Sequence, residues 1–340
     1  MSALPRVAVV ILNWNGKHFL EQFLPLLLER TPEPCAQIFV ADNGSTDGSV
    51  PWLTENFPDL PLIVFQSNLG YTGGYNQALK QIDATYYILL NSDVEVTPGW
   101  LTPLVREMDL SPECGVCMPK ILSRANPQTF EYAGACGGFI DRLGFPFCRG
   151  RILTLLEKDN GQYDQPINVF WASGTCMVVR ANLFHELGGL DNYFFAHMEE
   201  IDFCWRAHWA GYSVRVVPDS KILHVGGGTL PNDSPRKLYL NYRNNLLMMY
   251  KNLGRWERFP VLFIRILADH LSAIAYFFQG KYKFTQSVYK AHLHFWTMCP
   301  HMSRPGGKKP DLSSVMFKGS IVWRFFVSGK KITFQELRMQ

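Results

Sequence analysis

The chain has 340 residues, of which 47% are hydrophobic and 18% are charged. This composition can bury a full core, and it excludes a disordered or collagen-like protein. Charge is unevenly distributed: residues 1–235 contain 15 Lys and Arg against 25 Asp and Glu, whereas residues 236–340 contain 18 against 4. The second part is therefore strongly basic, which indicates an anionic partner, either membrane headgroups or nucleic acid.

The N-terminus and the cysteines give expectations about the cellular compartment. Residues 1–6 lack a charged segment leading into a long apolar one, so we expect no signal peptide and a protein that stays in the cytosol. Cys114 and Cys117 form the one CxxC pair among eight cysteines, and no second pair completes a zinc site. We expect the cysteines to be buried and reduced.

The first ninety residues alternate between apolar runs and helical patterns. Strands are predicted at 7–12, 37–41, 62–66 and 86–90, with helices at 18–29 and 74–82 between them. This alternation is typical of an α/β protein with a parallel sheet. Each strand leads into polar residues, at 13–16, 42–45, 68–70 and 91–93, and ligands of such sheets bind at the carboxyl ends of the strands.

The pattern changes along the rest of the chain. It loosens from about Glu113, and then predicts a strand at 168–180, helices at 181–187 and 191–210, and a strand at 213–217, with the module closing near Gly228. Helical patterns follow at 236–253, 259–278 and 283–295, before a loop at 303–310. We therefore predict a catalytic domain at 1–235 and a basic amphipathic helical extension at 236–340.

Two short motifs follow predicted strands. In Asp42-Asn-Gly-Ser-Thr-Asp47, the carboxylate of Asp42 could accept hydrogen bonds from a nucleobase or a ribose, although a simple capped turn explains it equally well. In Asn91-Ser-Asp-Val-Glu95, Asp93 could hold a divalent cation against a diphosphate, or could belong to a polar turn.

Two further candidates lie later in the chain. Glu199 and Glu200 are adjacent in the acidic segment 197–206, so they point in different directions, and one can face a cleft while the other caps the helix or pairs with Arg206. His224 precedes a run of glycines that permits close approach by a ligand, although a lone histidine is more often structural.

Taken together, these motifs resemble glycosyltransferase family 2, the inverting, nucleotide-sugar-dependent enzymes of the GT-A fold, and in particular its bacterial rhamnosyltransferase-like branch. The similarity covers about residues 5–250. The segments that carry it are 9–16 (VILNWNG with the preceding valine), 40–48 (VADNGSTDG), 68–76 (NLGYTGGYN), 89–93 (LLNSD), Ser173-Gly, and 199–206 (EEIDFCWR) with His224.

The resemblance implies a role for each candidate residue. Asp42 would contact the base or ribose, Asp93 would bind the metal with His224 as an additional metal or diphosphate ligand, and Glu200 would be the general base, with Glu199 as the alternative. The remaining nucleotide-sugar-binding residues would be Asn13, Asn15, Asn68, Gly70, Gly73, Asn76, Asn91 and Ser92. Asn91 replaces the first Asp of the usual DxD motif.

The resemblance also implies a fold and an activity. The expected fold is GT-A, with a mainly parallel central sheet. The expected reaction transfers a sugar from a UDP- or dTDP-linked donor to a hydroxyl of a glycan or lipid-linked glycan, with inversion and with Mg²⁺ or Mn²⁺, in cell-surface polysaccharide synthesis. The alternative is an inactive scaffold that binds sugar nucleotides, which the loss of Asp at position 91 favours.

Other classes of enzyme lack their motifs here. Residues 13–16 contain no GxGxxG turn, which excludes a dinucleotide oxidoreductase, and no Gly-rich basic loop of a nucleotidyltransferase. Asn252-Leu-Gly-Arg-Trp256 lacks the Gln of the QxxRW motif found in processive synthases. We therefore expect single sugar additions.

The basic extension is expected to bind an anionic membrane peripherally, at the inner face of the plasma membrane. Residues 259–278 are apolar but interrupted by Arg265, Asp269 and His270, so we expect them not to span a bilayer. The competing interpretation is that these helices pack on the catalytic domain or form a homodimer interface. We expect no nucleic acid partner, because the basic residues alternate with apolar runs.

Overall fold

The computed structural model describes residues 6–31, 36–226, 234–329 and 331–337. Its strands are β1 (Val7–Asn13), β2 (Ala36–Asp42), β3 (Leu62–Val64), β4 (Tyr86–Asn91), β5 (Val94–Val96), β6 (Cys114–Ser123), β7 (Gly138–Asp141), β8 (Pro146–Cys148), β9 (Arg151–Ile152), β10 (Leu155–Leu156), β11 (Ile167–Val169), β12 (Cys176–Arg180), β13 (Ser213–His224) and β14 (Met316–Phe317). Its helices are α1 (Lys17–Arg30), α2 (Ser49–Asn56), α3 (Gly70–Leu79), α4 (Leu101–Leu110), α5 (Ala181–Glu186), α6 (Glu199–Trp209), α7 (Pro235–Asn252), α8 (Arg255–Phe278), α9 (Tyr282–Met298) and α10 (Ile321–Val327).

A large central sheet has the strand order β11-β13-β6-β12-β4-β1-β2-β3, and β5 pairs with the end of β13. Strands β1, β2, β3, β4, β6 and β13 run in one direction, whereas β5, β11 and β12 run in the other. The continuous apolar runs of β1 and β4 are covered on both faces, as the sequence predicts. The α/β class with a mainly parallel sheet is confirmed.

The middle of the chain is more regular than its sequence predicts. The pattern loosens at Glu113, yet β6 begins at the next residue and runs for ten residues, nearly all buried. Its glycine, its cysteines and Lys120 interrupt the apolar pattern from which a strand is predicted. Lys120 is accommodated in the strand by ion pairs to Asp159 and Asp164. The predicted strand at 168–180 is two strands, the edge strand β11 and the buried β12. The predicted helix at 191–210 begins only at Glu199.

A second, smaller sheet has the order β10-β9-β8-β7-β14. Its last strand comes from the C-terminal part of the chain and pairs in parallel with β7. The carboxylate of Asp141, at the end of β7, accepts a hydrogen bond from the backbone N–H of Ile321, the first residue of α10. The C-terminal segment therefore packs against the second sheet, whose other strands come from residues 138–156.

The three long helices predicted in the basic part are present as α7, α8 and α9. Helix α7 packs against α6, and α9 packs against both α7 and α8. The predicted end of the catalytic module near Gly228 lies outside the described residues, and a domain boundary at residue 235 stays a prediction. Seven cysteines lie in the described ranges, and all seven are buried free thiols.

Candidate active site

The ends of β1 and β2 form one buried polar cluster at the carboxyl edge of the sheet. Asn13 and Asp42 are register partners, and both are fully buried. The Asn13 side chain donates a hydrogen bond of 2.9 Å to one oxygen of Asp42, and the backbone N–H of Ser45 donates one of 2.8 Å to the other. The Oδ1 atom of Asn13 has no hydrogen-bond partner among the described residues. An acceptor left unpaired in this way is available to a donor group of a ligand.

A second set of amides fixes the loop that leads into α3. Asn43 is buried and donates to Asn68 Oδ1 at 3.2 Å and to the carbonyl of Gly70 at 3.0 Å. The amide N–H of Gly70 donates to Asn68 Oδ1. Gly70 has φ +75°, and a Cβ there would lie 2.5 Å from the ring of Phe195. Only glycine fits this position, because its loop lies against the segment that precedes α6.

The turn after β1 approaches the loop after β4. Asn15 has a left-handed φ of 51°, and its side chain accepts a hydrogen bond from the backbone N–H of Thr46. A Cβ on Gly16 would lie 2.6 Å from Asn13 Oδ1 and 3.2 Å from Ser92 Oγ. The polar groups that end three parallel strands thus lie next to one another.

Asp93 and His224 form a buried pair at the same edge. Strand β5 pairs antiparallel with the end of β13, and its register places Val94 opposite His224. As a result Asp93 Oδ1 lies 3.2 Å from His224 Nε2. On the other side of the ring, Glu131 Oε2 lies 3.2 Å from Nδ1. Burial lowers the pKa of His224, but the two neighbouring carboxylates outweigh this effect and raise the pKa to about 10, so a cation that binds at Nε2 would displace the proton held there.

The donor set of this pair suits a divalent cation shared with a ligand. A carboxylate oxygen and an imidazole nitrogen are ligands that Mn²⁺ accepts, and Mg²⁺ or Mn²⁺ is commonly held by one or two protein groups and substrate phosphates. In the described ranges, no group of three or more His, Cys, Asp or Glu side chains is arranged to hold a metal by itself. The sequence analysis did not predict a role for Glu131. Its carboxylate lies beside Nδ1 of His224, the position from which a second carboxylate orients a metal-binding histidine.

Glu199 and Glu200 begin α6 and differ in their surroundings. Glu199 is buried, and burial together with the neighbouring Glu200 carboxyl raises its pKa well above the usual range. Glu200 is only partly buried, and burial raises the pKa of its carboxyl to about 7. A Cβ on Gly174 would lie 3.8 Å from the Cβ of Glu200 and 2.9 Å from the hydroxyl of Tyr71. Glu200 therefore lies beside Gly174, whereas Glu199 is the more deeply buried of the two carboxyls.

The loop before α6 has an unusual backbone. Phe195, His197 and Met198 all have left-handed φ values of 65–72°, which are strained for residues other than glycine. Helix α7 holds this loop in place, because the side-chain amide of Asn244 donates to the carbonyls of Phe194, Ala196 and His197 at 2.7–2.9 Å. Side chains from the predicted extension thus fix the position of the two glutamates.

A short chain of contacts joins the histidine pair to the glutamates. The backbone N–H of Ala133 donates to Glu131, and the carbonyl of Ala133 accepts a hydrogen bond from Ser173 Oγ. The next residue, Gly174, accepts a hydrogen bond of 2.7 Å from Tyr71 and faces Glu200. The structure therefore brings both parts of the predicted catalytic machinery to one region.

Not every predicted site residue has the expected surroundings. The amide of Asn76 is buried and donates to the carbonyl of Leu190 and to Asn192, while it accepts from the N–H of Leu190. These hydrogen bonds join α3 to the loop at residues 190–192, and a role of Asn76 in the nucleotide pocket stays a prediction. Gly73 faces Leu69 and the same Asn192. Asn91 is the last residue of β4, and its backbone N–H donates to Thr175.

The expected partner of Arg206 is also corrected. We expected one of the adjacent glutamates to cap the helix or to pair with this arginine. Arg206 instead forms an ion pair of 2.8 Å with Asp202, one turn earlier in α6. Asp202 is fully buried and also binds Lys251 of α7 at 2.9 Å. Within the described part of the chain the two glutamates have no basic partner, which agrees with their raised pKa values.

Comparison with known proteins identifies the family. A sequence model described as glycosyl transferase family 2 matches residues 8–188, more than half of the chain. The chain belongs to this family. The glycosyltransferase is similar to N-acetylglucosaminyl-diphospho-decaprenol L-rhamnosyltransferase of Mycobacterium tuberculosis, with 28% identity over 271 residues that cover 74% of this chain and 87% of that protein.

Two solved glycosyltransferase structures have the same fold. The mannosyltransferase PcManGT from Pyrobaculum calidifontis, in complex with GDP-Man and Mn²⁺, has a TM-score of 0.52 at 14% identity, and the match covers 88% of each chain. GalNAc-T7 with UDP, GalNAc and Mn²⁺ has a TM-score of 0.58 at 17% identity; the match covers 74% of this chain and about half, 48%, of that one. The GT-A fold, the family and the enzyme class predicted from the sequence are confirmed.

Proposed function

We propose that this glycosyltransferase moves a hexose from a UDP- or dTDP-linked donor to a hydroxyl of a lipid-linked glycan, with inversion and with the help of a divalent cation. Its place would be the synthesis of a cell-surface polysaccharide. The observation that carries the proposal is the short chain of contacts that leads from the Asp93–His224 pair through Glu131 and Ala133 to residues 173–174, beside which Glu200 lies.

The nucleoside would bind at the ends of β1 and β2. Asp42 is held rigidly by Asn13 and Ser45, so its remaining acceptor sites are fixed in direction. A carboxylate at this place can accept hydrogen bonds from an imide N–H or from ribose hydroxyls. The loop of Asn68 and Gly70 would close the other side of the pocket.

Asp93 and His224 would hold a divalent cation together with the donor diphosphate. Bound there, the cation would neutralise the negative charge that develops on the leaving nucleoside diphosphate. Support comes from the ligand set of the pair and from the two relatives of the same fold, whose structures contain Mn²⁺ with a nucleotide or nucleotide sugar.

Glu200 would act as the general base. A hydroxyl is a weak nucleophile at neutral pH, so a carboxylate within hydrogen-bond distance must take its proton as the oxygen attacks the anomeric carbon. Burial raises the pKa of Glu200 to about 7, which is suitable for this task at physiological pH. A single displacement of this kind inverts the anomeric configuration.

The acceptor is the part of the proposal that depends most on the relatives. The mycobacterial relative is named for its acceptor, N-acetylglucosaminyl-diphospho-decaprenol, and for the L-rhamnose that it transfers. The match covers most of both proteins. A sugar carried on a polyprenyl diphosphate is therefore the acceptor class that we propose here.

The test is a donor panel. The purified protein is incubated with UDP-, dTDP- and GDP-sugars, with Mg²⁺ or Mn²⁺, and with a short-chain prenyl diphosphate GlcNAc acceptor, while release of nucleoside diphosphate is measured. We expect one donor to be consumed in an acceptor- and cation-dependent reaction, and NMR of the product to show the inverted anomer.

Two results would contradict the proposal. Donor binding without turnover of any donor would favour the inactive scaffold that Asn91 suggests. Retention of the anomeric configuration would overturn the role of Glu200 as base in a single displacement.

A further inference from the structure

Helix α8 has its charged residues on the inside. Its buried residues are Arg258, Leu262, Arg265, Asp269 and Ala273, which follow one another at intervals of three or four and so form a single face. Three of these five are charged. A helix that packs on a protein core with water outside has the opposite distribution, with apolar residues inside.

Two of the three buried charges, Arg265 and Asp269, pair with each other inside the protein. Arg265 forms an ion pair of 2.9 Å with Asp269, and it also donates to Asn245 of α7 at 2.6 Å and to the carbonyl of Leu143. Asp269 lies 3.2 Å from His292 of α9. The helix is therefore attached along its length to α7, to α9 and to the turn between β7 and β8.

The outer face of α8 is apolar from Phe259 to its end at Phe278. Trp256 is 87% exposed and Phe278 is 82% exposed, and the large side chains between them are exposed as well. These exposed residues are Phe259, Phe263, Ile264, Leu267, Leu271, Ile274 and Phe277. The charged residues between 259 and 278 are only Arg265 and Asp269, which point inward. Single exposed apolar residues are normal in proteins, but a continuous face of this length marks an interaction site.

Helix α9 lies beside α8 and extends this face. Its exposed aromatic and aliphatic residues are Tyr282, Tyr289, Leu293 and Trp296, and the ring of Tyr282 contacts that of Phe277 across the two helices. Lysines border the face: Lys281, Lys283 and Lys290 are exposed, and Lys290 lies over the ring of Tyr239 of α7. We call the exposed apolar residues of α8 and α9 together the apolar face.

We propose that the apolar face docks on the surface of an anionic lipid bilayer, with α8 and α9 lying in the plane of the interface. Aromatic residues with polar edges, and lysines beside an apolar stripe, are the combination that fits the boundary between acyl chains and negative headgroups. The net positive charge of residues 236–340 also attracts the protein to a negatively charged bilayer. A second copy of this chain would bring the same lysines into apposition, which disfavours it as the occupant.

The same contacts explain why α8 lies on the membrane instead of crossing it. By length and composition alone, α8 could span a bilayer. A spanning helix would have to withdraw Arg265 and Asp269 from Asn245, Leu143 and His292 and expose them to hydrocarbon, which is costly. Docking in the plane keeps every one of these contacts.

The proposal goes beyond the transferase activity, and testing it requires no measurement of sugar transfer. The full-length protein is mixed with vesicles of phosphatidylcholine, or of phosphatidylcholine with phosphatidylglycerol, and bound protein is separated by flotation. We expect flotation with the anionic vesicles at low salt, weaker binding to the neutral ones, and release by high salt or carbonate.

Variants locate the binding surface. Leu271→Ser and Leu110→Ser are a matched pair, because these leucines are 68% and 69% exposed but Leu110 ends α4, away from the apolar face. We expect Leu271→Ser to weaken binding about tenfold and Leu110→Ser to leave it unchanged. The triple variant Phe263→Ser/Leu267→Ser/Leu271→Ser should lose about 100-fold or more. Lys283→Gln/Lys290→Gln should weaken binding to anionic vesicles only.

Several outcomes would overturn the proposal. Wild-type protein that does not float at low salt, or a triple variant with unchanged circular dichroism that floats like the wild type, would do so. A dimer in sedimentation equilibrium that the triple variant abolishes, without vesicle binding, would assign the apolar face to a second copy. Protein that resists carbonate and is released only by detergent would assign α8 as a spanning helix.

Discussion

At the scale of residues, the neighbouring carboxyls of Glu199 and Glu200 differ in their surroundings. Glu199 is enclosed, and burial together with the neighbouring Glu200 carboxyl raises its pKa well above the usual range. Glu200 faces Gly174 and the hydroxyl of Tyr71 and has a pKa of about 7. The resemblance to the family leaves the choice between the two open, and these surroundings favour Glu200 as the residue that can exchange a proton near neutral pH.

The pH dependence of the reaction should follow Glu200. Its carboxylate accepts the proton, and burial raises its pKa to about 7, so the active fraction falls as the pH is lowered through that value. We expect kcat/KM to be flat above about pH 8 and to fall about tenfold per unit below about pH 6. The measurement is a pH–rate profile with saturating cation. A profile that is flat between pH 5 and 8, the range in which this group titrates, would rule out Glu200 as the base.

Asp93→Ala should remove cation-dependent turnover. Among the residues that the structure describes, the Asp93 side chain makes no ion pair other than that with His224, so the fold should be retained. We expect at least about a 100-fold loss of transfer rate and loss of Mn²⁺ binding by calorimetry. Glu95→Gln is the control, because Glu95 lies two residues away but pairs with Arg30 and Arg124. Transfer at the wild-type rate in Asp93→Ala would disprove the assignment.

Glu131→Gln tests the orientation of His224. The carboxylate of Glu131 lies beside Nδ1 and favours the tautomer with the proton there, which leaves Nε2 to bind the cation. We expect Mn²⁺ affinity, measured by calorimetry on the free enzyme, to weaken about 10- to 100-fold. Nucleotide affinity without metal should stay the same. Unchanged Mn²⁺ affinity would make Glu131 a purely structural residue.

At the scale of elements, helix α7 connects the basic part of the chain to the catalytic site. Asn244 holds the strained loop before α6, and Lys251 neutralises Asp202 inside α6. Asn252 donates to the other oxygen of Asp202 at 2.7 Å. The Lys251 ammonium and the Arg206 guanidinium help to lower the pKa of the fully buried Asp202, against the effect of its burial. Helix α7 therefore helps to position Glu200, the proposed general base, although it follows the predicted domain boundary.

Two lysine substitutions compare what a buried ion pair and an exposed one contribute to the free energy of unfolding. Lys251 lies 2.7 Å from Asp191 and 2.9 Å from Asp202 in the interior, whereas Lys309 lies 2.6 Å from Glu257 at the surface. We expect Lys251→Met to lower the free energy of unfolding by about 3–5 kcal/mol, because it leaves Asp202 with less charge compensation. Lys309→Met should change it by under about 1 kcal/mol. Urea unfolding measures both, and equal effects would contradict the importance assigned to α7.

At the scale of the whole molecule, the sequence predicts the sheet and the edge where the site lies. The apolar runs of β1 and β4 and the polar residues that follow them carry this information, because strand direction brings their ends together. Glu131 could not be predicted, because its contact with His224 joins residues far apart in the chain and follows no periodic pattern. The inverted α8 had a readable signal, since Arg258, Arg265 and Asp269 recur at helical spacing and so share one face.

The most direct test of the central claim compares Glu200→Gln with Glu199→Gln in the transfer assay, with donor affinity measured alongside. Glutamine keeps the shape of each side chain but cannot accept the proton. We predict that Glu200→Gln binds the donor within about threefold of the wild type and transfers the sugar about 10²- to 10⁴-fold more slowly, whereas Glu199→Gln, at the more deeply buried carboxyl, retains most of the activity. Loss of transfer in Glu199→Gln with a nearly wild-type rate in Glu200→Gln would contradict it.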